Sequence, residues 1–283
     1  VNLLAANNPL TVSVSKIDDV SCFGGSDGAA VANASDGSGS YSYLWSNGQT
    51  SSTVTNLSAG TNSVTVTDSD GATATGSVII LQPSILNASI SSSDVSCNGE
   101  DDGIAVAIPS GGTSPYQFLW SNGVTSASNT GLIAGNYTVT ITDFNSCQTV
   151  ESVLVGEPSL LDGTIFTDSP ISCFGESDGA LSIAVSGGTP SYNFLWSNGS
   201  TSSAIAGLDA GVYTVTVTDN NNCEFIQGFN LTSPSPLALS VLTTDETAPN
   251  ANDGTATATV SGGTPSKVGT SAITDTTSRR MDT

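Results

Sequence analysis

The chain has no histidine and only four lysines and arginines among its 283 residues. Without an imidazole, a histidine-based catalytic triad cannot be built. With so few cations, phosphate backbones and anionic lipid surfaces lose their usual protein contacts, so neither nucleic acid nor membrane insertion is expected. No apolar run reaches the roughly 18 residues that a membrane-crossing helix needs. No Cys-x-x-Cys pair accompanies the five cysteines, which argues against a thiolate metal site. Lys16 is the only lysine before residue 267, so a Lys–Asn cross-link in every unit is excluded. No stretch shows helical periodicity, so no glycine-rich phosphate loop opens a helix. No catalytic residue is expected.

What is present is acidity and repetition. Net charge is −21 although only 10% of residues are charged, which fits a soluble, self-repelling extracellular surface. Regular apolar alternation separates the chain from disordered acidic sequences. The pentapeptide Leu44-Trp45-Ser46-Asn47-Gly48 returns at Leu119–Gly123 and Leu195–Gly199, with tryptophans spaced 120 − 45 = 75 and 196 − 120 = 76 residues apart. A fixed period of this kind marks a tandem array. Acidic turns (Ser26-Asp27-Gly28, Asp101-Asp102-Gly103, Ser177-Asp178-Gly179), Gly-Gly-Thr turns (Gly111–Thr113, Gly187–Thr189) and closing prolines (Pro9, Pro83, Pro158, Pro234) keep the same period.

Within a unit, Leu10–Ser15 alternates as a half-buried strand should, Tyr41, Tyr43 and Trp45 share one face, and Val64 and Val66 alternate with threonines. Asn47-Gly48 is a hairpin signal, since both central residues of a type I′ turn need positive φ. Six or seven short strands per unit predict an all-β fold. It is a tandem array of small antiparallel β-sandwiches of immunoglobulin or fibronectin III kind. Units of about 75 residues lie near the low end of what one core supports, so extra ties are expected. Tyr137 and Tyr213 open a strand where such folds place a tyrosine corner, and unit one has Asn62 there. Trp45, Trp120 and Trp196 read as core, and the competing reading is an exposed platform for stacking sugar rings.

Cys97 and Cys147 are 50 residues apart, as are Cys173 and Cys223; the position equivalent to the second cysteine in unit one is Ala72. The economical reading is one disulfide inside each of units two and three, with Cys22 free; buried free thiols are the alternative. The pairing carries a geometric difficulty: in a plain immunoglobulin order the first turn and the last hairpin lie at opposite ends. Closing a loop of about 50 residues would contribute on the order of 4 kcal/mol. Disulfides imply an oxidising compartment. Asp27, Asp101, Asp102, Asp178, Asp68 and Asp70 could offer carboxylates to Ca2+, although aspartate and glycine are also what tight turns require.

Taken together, Ser-Cys-Phe/Asn-Gly…Asp-Gly, Ser-Gly-Gly-Thr-Pro, Leu-Trp-Ser-Asn-Gly, Leu-x-Ala-Gly-x-Tyr-Thr-Val-Thr-Val-Thr-Asp and Asn-x-Cys resemble the SprB repeat over residues 10–265, most fully from Ser172 to Cys223. The resemblance implies a large surface protein of Bacteroidetes-type bacteria, exported by type IX secretion, of the kind that forms gliding-motility filaments. The expected organisation is 1–9, the end of a preceding repeat or linker; repeats at 10–83, 84–158 and 159–234; a partial fourth at 235–266; and a divergent, poorly ordered tail at 267–283. Very short proline-containing linkers predict a semi-rigid rod. Expected partners are the neighbouring repeats, a surface polysaccharide or substratum, and further copies in a filament. The alternatives are a carbohydrate-binding array and a passive spacer beside an enzyme outside this stretch.

Overall fold

The computed structural model describes residues 8–249, 251 and 253–264. Every regular element among them is a strand. The first sandwich comprises β1 (Thr11–Asp18), β2 (Gly28–Ser35), β3 (Ser42–Trp45), β4 (Thr53–Leu57), β5 (Gly60–Thr67) and β6 (Thr73–Ile80). The second comprises β7 (Asn87–Ser93), β8 (Gly103–Ser110), β9 (Gln117–Trp120), β10 (Ser128–Leu132), β11 (Gly135–Thr142) and β12 (Gln148–Val155). The third comprises β13 (Asp162–Ser169), β14 (Gly179–Ser186), β15 (Asn193–Trp196), β16 (Ala204–Leu208), β17 (Gly211–Thr218) and β18 (Glu224–Leu231). A last pair, β19 (Ala238–Thr244) and β20 (Thr255–Ser261), forms a two-stranded sheet. Residues 1–7 and 265–283 lie outside the described residues, and with them the divergent tail and most of the leading segment.

Each sandwich uses one strand order. Sheets β1-β2-β4 and β3-β5-β6 recur as β7-β8-β10 and β9-β11-β12, then as β13-β14-β16 and β15-β17-β18. This is the immunoglobulin arrangement reduced to six strands, with the tryptophan on the third, as in that fold. The Asn-Gly turn forms: Gly48 has φ +85° and its N–H reaches the Trp45 carbonyl at 2.8 Å. It does not make the expected hairpin, however. β3 pairs with β5 while β4 pairs with β2 across the sandwich. The tryptophan holds the crossover in place, because its indole N–H donates to the carbonyl of Ser51, Ser126 or Ser202 at 2.8–2.9 Å.

That hydrogen bond lets the largest side chain in each unit be buried without an orphaned donor. Trp45, Trp120 and Trp196 are 2%, 1% and 2% exposed. In the first core Trp45, Val64, Val66 and Ile80 from one sheet meet Ala30, Ala32, Val54 and Leu57 from the other. The third core changes partners at constant architecture. Leu181 and Ile183 stand where the first has Ala30 and Ala32, and Gly163 stands where the first has Val12. A Cβ on Gly163 would lie 3.1 Å from Ile183, so the larger isoleucine and the smaller glycine compensate each other.

The chain divides into two compact units, Val1–Val95 with Gly99–Glu157, and Ser96–Asn98 with Pro158–Thr283. The first contains two sandwiches. The second contains the third sandwich and the β19–β20 hairpin.

Candidate functional site

A local geometry that recurs in all three sandwiches is a carboxylate cage at the β5–β6 turn and its equivalents. Each last strand pair of a sandwich is joined by a turn that starts on aspartate. Asp68 accepts N–H donation from Ser38, Asp70 and Ala72 at 2.9, 3.0 and 2.9 Å. Asp143 accepts from Thr113, Asn145 and Cys147 at 2.8, 2.9 and 2.8 Å. Asp219 accepts from Thr189, Asn221 and Cys223 at 2.7, 2.8 and 2.9 Å. All three carboxylates are buried. The Ser38 N–H, and then those of Ala72 and Asp70, hold the Asp68 carboxyl below its ordinary value against the opposing effect of burial. For Asp219 burial is the largest single influence and pushes upward, yet the three N–H donors together outweigh it and keep the carboxyl low. The cage ties the turn to the Gly37-Ser38 loop in the first sandwich and to the Gly-Gly-Thr loop in the other two, and so fixes the head end of each.

At the other end lies the loop between the first two strands. Asp27 accepts from the Ser21 N–H at 3.0 Å and from the Ser21 hydroxyl. Asp178 accepts from the Ser172 N–H at 3.0 Å. The serine hydroxyl, followed by its N–H, lowers both carboxyls. These bonds close a small ring that presents the intervening cysteine, Cys22 or Cys173. The loop also leans on the outgoing linker: the Val20 N–H reaches the Leu81 carbonyl at 2.9 Å, and the Gly24 N–H reaches Gln82 Oε1 at 2.8 Å.

These two features meet across one period. Cys22 is bonded to Cys147 and Cys97 to Cys223, at sequence separations of 125 and 126. Cys173 is the free thiol and is exposed. The expected pairs, Cys97 with Cys147 and Cys173 with Cys223, are therefore wrong, as is the expectation that Cys22 is free. The reason is strand order. The cysteine loop sits at the tail end of its sandwich and the cysteine turn at the head end of its own, so equal spacing within a repeat does not bring them together. The loop of one repeat instead meets the turn of the following one. An asparagine on the turn reinforces each bridge. Asn145 Nδ2 donates to the Ser21 carbonyl at 2.9 Å and to Thr113 Oγ1 at 3.2 Å. Asn221 Nδ2 donates to the Ser96 carbonyl at 2.9 Å, which holds Ser96–Asn98 within the second unit.

The other candidate residues have roles inside single repeats. Asp68 spends its oxygens on backbone N–H groups, Asp27 and Asp178 spend theirs on the N–H and hydroxyl of one serine each, and the Asp70 side chain is exposed, as are those of Asp101 and Asp102. Among the described residues no three metal-binding side chains gather. Tyr137 and Tyr213 are half-buried against their cores, and their hydroxyls donate to the Ile133 and Asp209 carbonyls at 3.0 Å. Asn62 supplies the corresponding bond in the first repeat, to the Ser58 carbonyl at 3.0 Å. The corner is thus kept there with a different donor. The sequence reading missed Asp143, Asp219, Asn145 and Asn221. Their signal was an aspartate directly after the Thr-Val-Thr or Thr-Ile-Thr that ends the fifth strand of each sandwich, and an asparagine two residues before each second cysteine.

The profile of the SprB repeat matches residues 14–50, 89–125 and 165–201. The chain carries three SprB repeats. Each matched segment runs from the first strand to the Asn-Gly turn, so the cage aspartates and the cysteines of the second turn lie beyond it. SprB repeats occur in cell-surface proteins, and two disulfides suit an extracellular setting. No curated protein sequence matches the chain. Solved structures similar to it include Sidekick-1 immunoglobulin domains 1–5 (14% identity, TM-score 0.32, covering 81% of this chain and 60% of that one). Another is the N-terminal eight immunoglobulin domains of Down Syndrome Cell Adhesion Molecule (10% identity, TM-score 0.31, covering 84% and 49%). The immunoglobulin-like assignment rests on strand order and the buried third-strand tryptophan, not on these loose superpositions. No described helix is long and apolar enough to cross a membrane.

Proposed function

We propose that the chain is a non-catalytic stretch of an exported bacterial surface adhesin, in which SprB sandwiches linked across the period carry an adhesive surface away from the cell. The observation that carries this reading is the cross-period bridge. A disulfide joining the loop of one repeat to the turn of the next passes tension around the short proline linker, as a part under load requires. It also needs an oxidising environment to form. Export by type IX secretion and a role in gliding filaments extend the same reading. Function here is reach and multivalent display, in which many weak contacts act together. A sugar-stacking array would need exposed tryptophan rings, and all three are buried.

The test is surface labelling of intact cells of the encoding bacterium with an antibody raised against residues 1–283. Labelling is expected, and so is its loss when the type IX translocon is inactivated. Equal labelling only after lysis would overturn the export reading. Replacing the stretch by unrelated sandwiches of equal length separates adhesive surface from spacer: attachment falls if the repeats themselves adhere, and stays unchanged if they only provide distance.

A further inference from the structure

The loop that holds Cys22 and the loop that holds Cys97 are both engaged, each by a turn one period further on. The third loop has the same fold. Its Ser172 N–H reaches Asp178 at 3.0 Å, as Ser21 reaches Asp27 at 3.0 Å. Gly175 has φ +82° where Gly24 has +76°. Ile171 is as buried as Val20, which anchors the loop base in the core. The loop is therefore formed before any partner arrives, with its thiol outward.

The surroundings identify the partner. Beside Cys173 lies a groove of about 490 Å3 lined by Phe174, Pro236, Leu237, Gly263 and Thr264. Its counterpart beside Cys22 is lined on one side by Phe23, Ile85 and Leu86, and on the other by Cys147, Gln148 and Thr149. The near walls correspond. The Gly263 N–H reaches the Ser235 carbonyl at 2.9 Å, as the Gly112 N–H reaches Ser84 at 2.9 Å. The hairpin β19–β20 thus occupies, next to Cys173, the place that the next repeat's first hairpin takes next to Cys22. Its inward positions Leu239, Val241 and Val260, equivalent to Val12, Val14 and Ala34, are more than half exposed. Among the described residues nothing forms the second wall.

We infer that Cys173 is a docking socket for the Asp-x-Asn-x-Cys turn of a further SprB repeat, delivered by a tryptophan-bearing three-stranded sheet that covers β19–β20. With oxidised glutathione as oxidant, the Cys173 thiolate displaces one glutathione thiolate and forms a mixed disulfide. The turn's thiolate then attacks the Cys173 sulfur and releases the second glutathione thiolate. Two protein thiols are oxidised and one small disulfide is reduced.

The experiment extends the full chain at its C-terminus with a second copy of residues 190–234 and equilibrates it in glutathione buffer. Alkylation and peptide mapping then follow. The extended chain has six cysteines, and the expected result is no labelled thiol and a peptide joining Cys173 to the added cysteine. Two labelled thiols with a fourth tryptophan buried would overturn the socket. A second variant, C97S in the unextended chain, does not depend on the extension folding. It frees Cys223, which the socket rule keeps apart from Cys173 because they lie at opposite ends of one sandwich. Two labelled thiols are expected, and a Cys173–Cys223 bridge would show that this loop pairs within its own repeat and overturn the inference.

Discussion

The turn Asp68-Ser69-Asp70-Gly71-Ala72 and the turn Asp143-Phe144-Asn145-Ser146-Cys147 share a backbone and differ in purpose. Both hold a buried aspartate with three N–H donors. Only the second has the asparagine and the cysteine that reach another repeat. The third repeat's turn, Asp219 to Cys223, sides with the second. Folding of a repeat and attachment between repeats are therefore separable. The aspartate serves the first and is present every time, whereas asparagine and cysteine serve the second and are lost together in repeat one.

The largest effect that would test this separation comes from removing a bridge. Loop-closure entropy for a 125-residue loop is worth on the order of 5 kcal/mol in the chain-entropy model. C22S/C147S is expected to lower the guanidinium midpoint of the first unit and to split its unfolding into two transitions, read by tryptophan fluorescence. An unchanged single transition would show that repeats one and two are coupled without the bridge.

Next comes the cage. D143A leaves three N–H groups without their acceptor, a loss on the order of 3 kcal/mol. D68A should lower the thermal midpoint of its own repeat similarly, although no bridge depends on it; a silent D68A would tie the cage to attachment after all. Acid should act on both kinds of turn alike. Asp68 and Asp219 have folded carboxyls below the ordinary 3.8, so their contribution is complete above that value and is lost as pH falls through the lower one. Thermal midpoints should be flat from about pH 7 to 5 and drop below about pH 4, in the repeat whose turn carries no cysteine and in the repeat whose turn is bridged alike.

Asn145→Ala removes the bond to the Ser21 carbonyl and should cost about 1 kcal/mol, whereas Asp70→Ala should cost about nothing. Equal values in urea titrations would deny the asparagine its part in attachment. The smallest effect is expected for D70N/A72C, which writes the attaching residues onto the first turn. Ala72 is exposed, so stability should change by less than about 0.5 kcal/mol. Alkylation before reduction should label two thiols instead of Cys173 alone. A shift in pairing away from Cys22–Cys147 would mean that the turn, rather than its position in the array, chooses the partner.

Much of this was open to reading along the chain. The period of 75 and 76 residues, the alternation in Leu10–Ser15 and Val64–Val66, and the third-strand tryptophans are local patterns. Strand formation and burial follow from such patterns through side-chain direction and apolar area. The Asn47-Gly48 turn was legible too, but not the sheet that its outgoing strand would join. A turn's φ angles are set by two residues, whereas sheet membership depends on where Trp45 and its Ser51 acceptor pack. The Asn62 bond to Ser58 was hidden for a similar reason, since an amide can replace a phenol only if the backbone brings the carbonyl within its shorter reach.

By itself, then, the sequence determined the number of repeats, the strands, the core residues and the SprB family, because each depends on neighbours within a few positions or on the period. The cysteine pairs were decided by tertiary structure alone. A separation of 50 within a repeat and one of 125 across repeats are equally regular on paper. Only the order of strands in two sheets puts Cys22 at the tail of one sandwich and Cys147 at the head of the next, within the few ångströms over which a disulfide can form.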